Sequence, residues 1–272
     1  MAEAMVNDQR ALDSFTVIIP ARYASTRLPG KPLAIIGDKP MIQHVYERAC
    51  QSCAKQVVVA TDDQRIANAV NRFGGQSLMT ATTHDSGTNR LQEAASLIGL
   101  DEKQIVVNVQ GDEPCISPKV IDQVAVNLQQ HDRFAAATLC EAVTSEADLI
   151  NPNVVKVVMD MDGRALYFSR AAIPFVRDNT PVRDSAPAKA QTQTNAIPAY
   201  RHIGIYAYRV DLLNRFVGWP MAALEKLECL EQLRILYQGE AIHVAQAVTA
   251  VPGGVDTEED LARIRQDLRV TS

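Results

Sequence analysis

Residues 15–33 read FTVIIPARYASTRLPGKPL. The opening FTVIIPA (15–21) is a largely apolar run, the pattern of a strand buried on both faces. Two arginines and a lysine follow around a Pro-Gly turn: Arg22, Arg27 and Lys31. In open α/β sheets, ligands bind beyond the carboxyl ends of the strands. A basic loop at that place is a candidate grip for a polyphosphate, with backbone N–H groups near Gly30 as further donors. The connection from Arg22 to Pro40 is long for a strand-to-helix loop, which favours a functional role. It is not a P-loop, because Lys31 is followed by proline and Ser25 stands where a glycine would; nor is it a G-x-G-x-x-G turn. On charge alone, a solvated basic loop is the alternative.

The grammar around this loop supports a parallel sheet. QVVVAT (56–61) and QIVVNVQG (104–111) read as further buried strands, and AAATL (135–139) as another. Helical spacing lies between them, in MIQHVYERAC (41–50), DDQRIANAVNRFGG (62–75), GTNRLQEAASLIG (87–99) and SPKVIDQVAVNLQQ (117–130), the last capped by Ser117 with Pro118 in its first turn. Alternation of this kind implies a mostly parallel sheet with helices on both faces. After residue 150 the pattern changes. VVKVVMDMDGRALYFSR (154–170) reads as a hairpin turning at Asp162-Gly163. Residues 176–199 have no period and are expected to be a long functional or mobile loop. HIGIYAYR is a strand, ALEKLECLEQLRILY a helix, IHVAQAV a strand and DTEEDLARIRQDLR a closing helix. We expect one α/β domain over 15–272: a first part to about 150, an antiparallel insertion over about 151–255, and a closing helix over 256–272. Residues 1–14 are expected to be a disordered extension.

With 272 residues, the chain can bury a sizeable core. The formal net charge of −5 disfavours nonspecific binding to nucleic acid or an anionic membrane. No apolar run is long enough to span a bilayer, and the amino-terminal segment lacks the pattern of a secretory signal. Five cysteines, with one lone C-x-x-C at Cys50 and Cys53, complete no metal site and read as reduced thiols of a cytoplasmic protein.

Several loops carry candidate chemistry. In NVQGDEP, residues Asn108, Gln110 and Asp112 share a parity, and Asp112 just past a strand is a natural Mg²⁺ ligand or else a turn aspartate. HDSGTNRL opens a helix that Ser86 or Thr88 caps. Arg90 in its first turn is unfavourable for the helix dipole and calls for a ligand or an acidic partner. In RHIGIYAYR, Ile203, Ile205 and Ala207 make one face; His202, Gly204, Tyr206 and Tyr208 make a polar face that is a binding wall or simply half exposed. Glu231 falls on the stripe of Leu224, Leu227 and Ile235 and needs a partner, either Arg234 at i+3 or a polyhydroxylated ligand. In GVDTEEDL, Thr257 and Asp260 are spaced as a capping box, leaving Asp256 as a second candidate metal ligand; otherwise Asp256 is itself the cap.

Taken in order, IPARYASTRLPGKPL, HDSGTNRL, NVQGDEP, ALYFSRAAIPF, HIGIYAYR, LECLEQLRIL and GVDTEEDL closely resemble the CMP-Kdo synthetase (3-deoxy-manno-octulosonate cytidylyltransferase) family, from about Phe15 to Leu268. The first motif is shared with sialic-acid cytidylyltransferases; NVQGDEP with HIGIYAYR and LEQLR favours the Kdo branch. The resemblance implies a nucleotide-diphospho-sugar-transferase-like (Rossmann-like) α/β fold, usually a homodimer. It implies transfer of CMP from CTP to Kdo with Mg²⁺, for lipopolysaccharide assembly. Arg22, Arg27 and Lys31 would hold the triphosphate, and Ser86, Gly87, Arg90 and Gln110 the cytidine side. Asp112 and Asp256 would hold Mg²⁺, and with Arg22 and Lys31 would carry the catalysis. Arg170, His202, Tyr206, Glu231 and Gln232 would hold Kdo. CMP activation of a related sugar acid, such as sialic acid, is the alternative.

Overall fold

A computed structural model describes residues 14–24, 28–84, 86–175 and 199–270. Arg27, the extension before Ser14 and the run 176–198 lie outside the described residues.

The chain begins with β1 (Thr16–Ala21), whose side chains are buried apart from Pro20. A 3₁₀ turn (Lys31–Leu33) follows the basic loop, then a small ribbon of β2 (Ile35–Ile36) and β3 (Lys39–Pro40). Next come α1 (Met41–Cys50), β4 (Gln56–Thr61), α2 (Gln64–Arg72), β5 (Ser77–Met79), α3 (Gly87–Leu97), β6 (Ile105–Asn108), α4 (Pro118–Gln129), β7 (Ala136–Ala142) and α5 (Glu146–Ile150). The second half supplies β8 (Lys156–Met159), β9 (Ala165–Ser169), β10 (Tyr200–Arg209), α6 (Val210–Phe216), α7 (Ala223–Glu228), α8 (Gln232–Tyr237), β11 (Ile242–Gln246) and α9 (Glu258–Val270).

Nine strands form one sheet, with the path β11-β7-β10-β6-β1-β4-β5 and with β8 and β9 attached through β10. β1 pairs in parallel with both β4 and β6, as their unbroken apolar runs require. β10 enters between β6 and β7 antiparallel to both, so the expected antiparallel insertion lies in the middle of the sheet. Its two faces divide as the alternation predicts. Ile203, Ile205 and Ala207 join the core on the side of α1 and α4, while Tyr206 and Tyr208 join the core on the side of α3 and α6. The hairpin of β8 and β9 also forms as expected, and Gly163 in its turn has φ 74°.

One predicted element breaks in two. The helical spacing of ALEKLECLEQLRILY suggests a single helix, but α7 ends at Glu228 and Cys229 adopts φ 50°, ψ 48°. A left-handed residue ends a helix, because the turn can no longer supply the next i→i−4 bond. Leu224 and Leu227, the supposed buried stripe, are exposed. What holds the corner is Glu225. Its carboxylate accepts from Arg234 Nε at 2.8 Å and Nη2 at 2.6 Å and from the Ala222 N–H at 3.0 Å. Arg234 also lies over the Phe216 ring, 4.3 Å from its centroid. Both charged side chains are almost wholly buried, so removing one leaves the other desolvated and unpaired. Glu225→Ala is expected to cost about 3–5 kcal/mol of unfolding free energy in urea titrations; a cost within about 0.5 kcal/mol of parent, the surface range, would contradict this account.

Candidate active site

The loop after β1 is closed by its own backbone. The Gly30 N–H donates to the Tyr23 carbonyl at 3.0 Å, and Gly30 takes φ 70°. A side chain there would be strained and would also crowd the Tyr23 ring, 3.1 Å from a Cβ. The closure puts Lys31 at the start of the 3₁₀ turn.

The loop after β6 crosses close to the end of β1. A Cβ on Gly111 would stand 2.9 Å from the Pro20 carbonyl oxygen, a backbone atom that cannot turn aside. Only glycine therefore lets the Gln110–Asp112 turn approach β1. The segment before α9 joins from the far end of the sequence. The Val255 N–H donates to the Asp112 carbonyl at 2.8 Å, which fixes Asp256 beside Asp112. Thr257 and Asp260 do form the capping box. The Thr257 Oγ1 accepts from the Asp260 N–H at 3.2 Å, and the Asp260 carboxylate accepts from the N–H groups of Asp256 and Thr257, both at 3.1 Å. The cap is thus Thr257, and the Asp256 side chain points elsewhere, onto Lys31.

The result is an open cleft of about 410 Å³ at the carboxyl ends of β1 and β6. Arg22, Lys31, Gly87, Gln110, Asp112 and Asp256 all line it. Lys31 Nζ donates to Asp112 Oδ2 at 2.6 Å and to Asp256 Oδ1 at 3.2 Å, so one ammonium bridges both carboxylates. This geometry tests the two aspartates as a cation site: a single cation can touch both. Among the described residues there is no cluster of three or more His, Cys, Asp and Glu arranged for a metal. Two carboxylates are the set Mg²⁺ uses when phosphate oxygens and water complete its octahedron, so the residues fit that ion. Neighbouring Glu113 is different. Burial and the Asp112 charge push its carboxyl up to about 8, which leaves it neutral at pH 7.

Ser86 caps α3 by accepting from the Asn89 N–H at 3.2 Å. Arg90 does not line the cleft. It is fully buried, with Nη2 on Asp62 at 2.6 Å and Nη1 on the Thr80 hydroxyl, so the first-turn cation has found an acidic partner.

Of the predicted sugar residues, His202 and Tyr206 lie on β10, Glu231 and Gln232 at the start of α8 and Arg170 just after β9, and none of them lines that cleft. His202, Tyr206 and Tyr208 form an aromatic ladder. The His202 ring meets Phe168 edge-on at 5.0 Å and Tyr206 at 5.3 Å, and Tyr206 stacks on Tyr208 at 5.3 Å. The predicted polar wall is thus mostly covered. Among the described residues Gln232 Nε2 is buried without a hydrogen-bond partner, and the buried Tyr206 hydroxyl faces the Thr138 hydroxyl. Burial holds the His202 imidazole down to about 3, and its Nε2 lies 3.0 Å from the Thr138 hydroxyl. Glu231 is half buried and accepts from the Thr88 hydroxyl at 2.5 Å. Its expected partner, Arg234, is bound to Glu225 instead. Arg170 gives Nε to the Glu228 carbonyl at 2.6 Å and Nη1 to the Pro152 carbonyl at 2.9 Å, and its own carbonyl accepts from the buried Lys156 at 2.7 Å.

Comparison with known proteins places the chain in a family. The Cytidylyltransferase family profile matches residues 16–242. A 3-deoxy-manno-octulosonate cytidylyltransferase of Cellvibrio japonicus (strain Ueda107) is 58% identical over 257 residues, covering 94% of this chain and 99% of the relative. One from Vibrio vulnificus (strain YJ016) is 55% identical over 259 residues, covering 95% and 100%. The chain belongs to the 3-deoxy-manno-octulosonate cytidylyltransferase family. A solved structure of CMP:2-keto-3-deoxy-manno-octonic acid synthetase complexed with CTP superposes with TM-score 0.85 at 40% identity, over 96% of this chain and all of that one. A Leptospira borgpetersenii cytidylyltransferase shares the fold alone, at TM-score 0.59 and 16% identity.

Within this family frame, sequence reasoning missed Gly111, Thr88 and Thr138. Gly111 carries no chemistry of its own, and its close approach is visible only in space. Thr88 reads as a helix cap, yet its hydroxyl crosses to Glu231.

Gly111→Ala is expected to lower kcat/KM about 5- to 150-fold, the scale of the roughly 1–3 kcal/mol of an overpacked site; unchanged steady-state kinetics would refute the close-approach argument. A second outcome concerns pH. An unfolded histidine titrates near 6.5 and His202 near 3. As pH falls through this window the unfolded chain takes up the proton first, so stability present above 6.5 is lost towards 3. His202→Gln is expected to lose less unfolding free energy than the parent between about pH 7 and about pH 4. Identical pH dependence in urea titrations would show that His202 does not carry this loss.

Proposed function

We propose that the protein transfers CMP from CTP to the anomeric hydroxyl of 3-deoxy-manno-octulosonate, with Mg²⁺ as cofactor, giving CMP-Kdo and pyrophosphate. The observation that carries this reading is the convergence of Arg22, Lys31, Gln110, Asp112 and Asp256 on one cleft, in a chain of which 94% aligns with a relative of that activity.

The sugar oxygen forms a bond to the α-phosphorus, the bond from that phosphorus to the bridging oxygen breaks, and the hydroxyl proton leaves to solvent. Such a reaction depends on positioning and on neutralising charge. Arg22 and Lys31 meet the β- and γ-phosphates and stabilise the departing pyrophosphate. The α3 amino-terminus at Ser86 and Gly87, together with Gln110, faces the nucleoside side. Asp112 and Asp256 would hold the cation, which when bound would neutralise phosphate charge and acidify the sugar hydroxyl. Glu231 accepts hydrogen bonds from sugar hydroxyls, and the Gln232 amide, unpartnered among the described residues, and the Tyr206 hydroxyl are donors for the same ligand. Arg170 bonds the Glu228, Pro152 and Cys229 carbonyls, and its guanidinium N–H groups with no partner among the described residues would serve the Kdo carboxylate. His202, with its pKa near 3, is too weak a base to take the hydroxyl proton and acts as a neutral hydrogen-bonding group.

The same reading makes the protein a cytoplasmic homodimer serving lipopolysaccharide assembly. Exposed Leu166 on β9 and Leu227 on α7 are apolar surface suited to a second copy.

Pyrophosphate release from CTP is the test, with Kdo or sialic acid, with and without Mg²⁺. Release is expected with Kdo and metal only. Activity on sialic acid alone would overturn the sugar assignment. Asp112→Asn is expected to lower kcat by at least about a hundredfold, the scale of losing a charge-stabilising group; full turnover at saturating Mg²⁺ would refute the cation site.

A further inference from the structure

We infer that Thr88 is a positioning residue that aims the Glu231 carboxylate at the sugar, an inference that rests on the Kdo-binding role of Glu231 proposed above. Glu231 stands at the turn into α8, half buried. Its hydrogen-bond partner among the described residues is Thr88, whose Oγ1 donates to Oε2 at 2.5 Å across 143 residues of sequence. Thr88 is only 4% exposed, so its hydroxyl has little water to turn to. The cation that spacing would offer Glu231, Arg234, is committed to Glu225 through two nitrogens.

The chemistry of this pairing is specific. A carboxylate has about four acceptor directions, and one hydroxyl occupies a single one. An arginine would take two in a bidentate fork and neutralise the charge. A threonine leaves the charge and most of the acceptors available to sugar hydroxyls, while fixing the rotamer from one side. The hydroxyl is itself held in place. Thr88 lies in the first turn of α3, next to Gly87 in the cleft lining, and the Tyr208 hydroxyl is within hydrogen-bonding reach of it. Thr88 therefore links the helix that faces the nucleotide to the carboxylate that faces the sugar.

Thr88→Val keeps the shape and removes the donor. Steady-state pyrophosphate release, with Kdo varied at saturating CTP and then the reverse, reads the effect. Losing a hydrogen bond to a charged group is expected to raise the Kdo KM about tenfold while the CTP KM stays within about twofold. Thr88→Ser, which restores the hydroxyl, is expected to return the Kdo KM to near the parent value. Thr88→Val added to Glu231→Gln is expected to raise the Kdo KM no further than Glu231→Gln alone, as residues acting through one contact are non-additive. If the valine variant does not fold, Thr88→Ala replaces it in the same series. An unchanged Kdo KM, an equal rise in both KM values, or failure of serine to rescue would overturn the proposal. Absence of any Kdo-dependent release from the unsubstituted enzyme would instead overturn the substrate assignment itself.

Discussion

A main-chain hydrogen bond, from the Val255 N–H to the Asp112 carbonyl at 2.8 Å, holds the cleft together. It joins the turn after β6 to the segment before α9, two places far apart in sequence. Without it, Asp256 has no fixed relation to Asp112. The bond in turn depends on Gly111, which lets the turn lie against Pro20, and on the sheet order that sets β6 beside β1. Lys31 completes the link by bridging both carboxylates from the loop after β1. Three connections, each leaving or entering a rigid element, thus converge where ligands bind in open α/β sheets. Burial of β1 and β6 on both faces makes the placement reliable, because helices pack over each side of these strands.

The second half of the chain builds a different surface. β10 runs antiparallel through the middle of the sheet and carries the His202–Tyr206–Tyr208 ladder on the face towards α3. The corner between α7 and α8 then brings Glu231 and Gln232 to the same side. That corner is kept by a buried ion pair, an arrangement that stabilises only while both partners are present. Its worth here is geometric: Glu225 takes both Arg234 nitrogens and so keeps that guanidinium from a direct ion pair with Glu231.

Much of this was legible in the sequence. β1, β4 and β6 are continuous apolar runs, and the Asp162-Gly163 signal marked the hairpin of β8 and β9. The loop from Arg22 to Lys31 announced itself by charge, and Asp112 and Asp256 by their positions beyond apolar segments. Where reading failed, the deciding contact was non-local. The spacing of Leu224, Leu227 and Glu231 is compatible with one long helix, and nothing local says that Cys229 will turn left-handed. Glu231 and Arg234 are ideally spaced to pair, but Glu225, nine residues before Arg234, takes the arginine when the chain turns. Likewise, Arg90 invited either a ligand or an acid, and only the packing of α3 against the end of β4 selects Asp62. Periodicity reports which face is buried; it does not report which polar group is waiting there.

The bridging ammonium of Lys31 has a consequence for how the cleft fills. Lys31 Nζ lies against both Asp112 and Asp256, so the two carboxylates share an internal counterion. In the proposed reaction, the triphosphate must draw Lys31 towards itself, and the two carboxylates must then find another positive charge. Loading is therefore an exchange of ions, with one set of partners swapped for another, and not the addition of charge to an empty site. Under that proposal, drawing Lys31 onto the phosphates would free the two carboxylates for a cation, which would couple nucleotide and cation binding electrostatically.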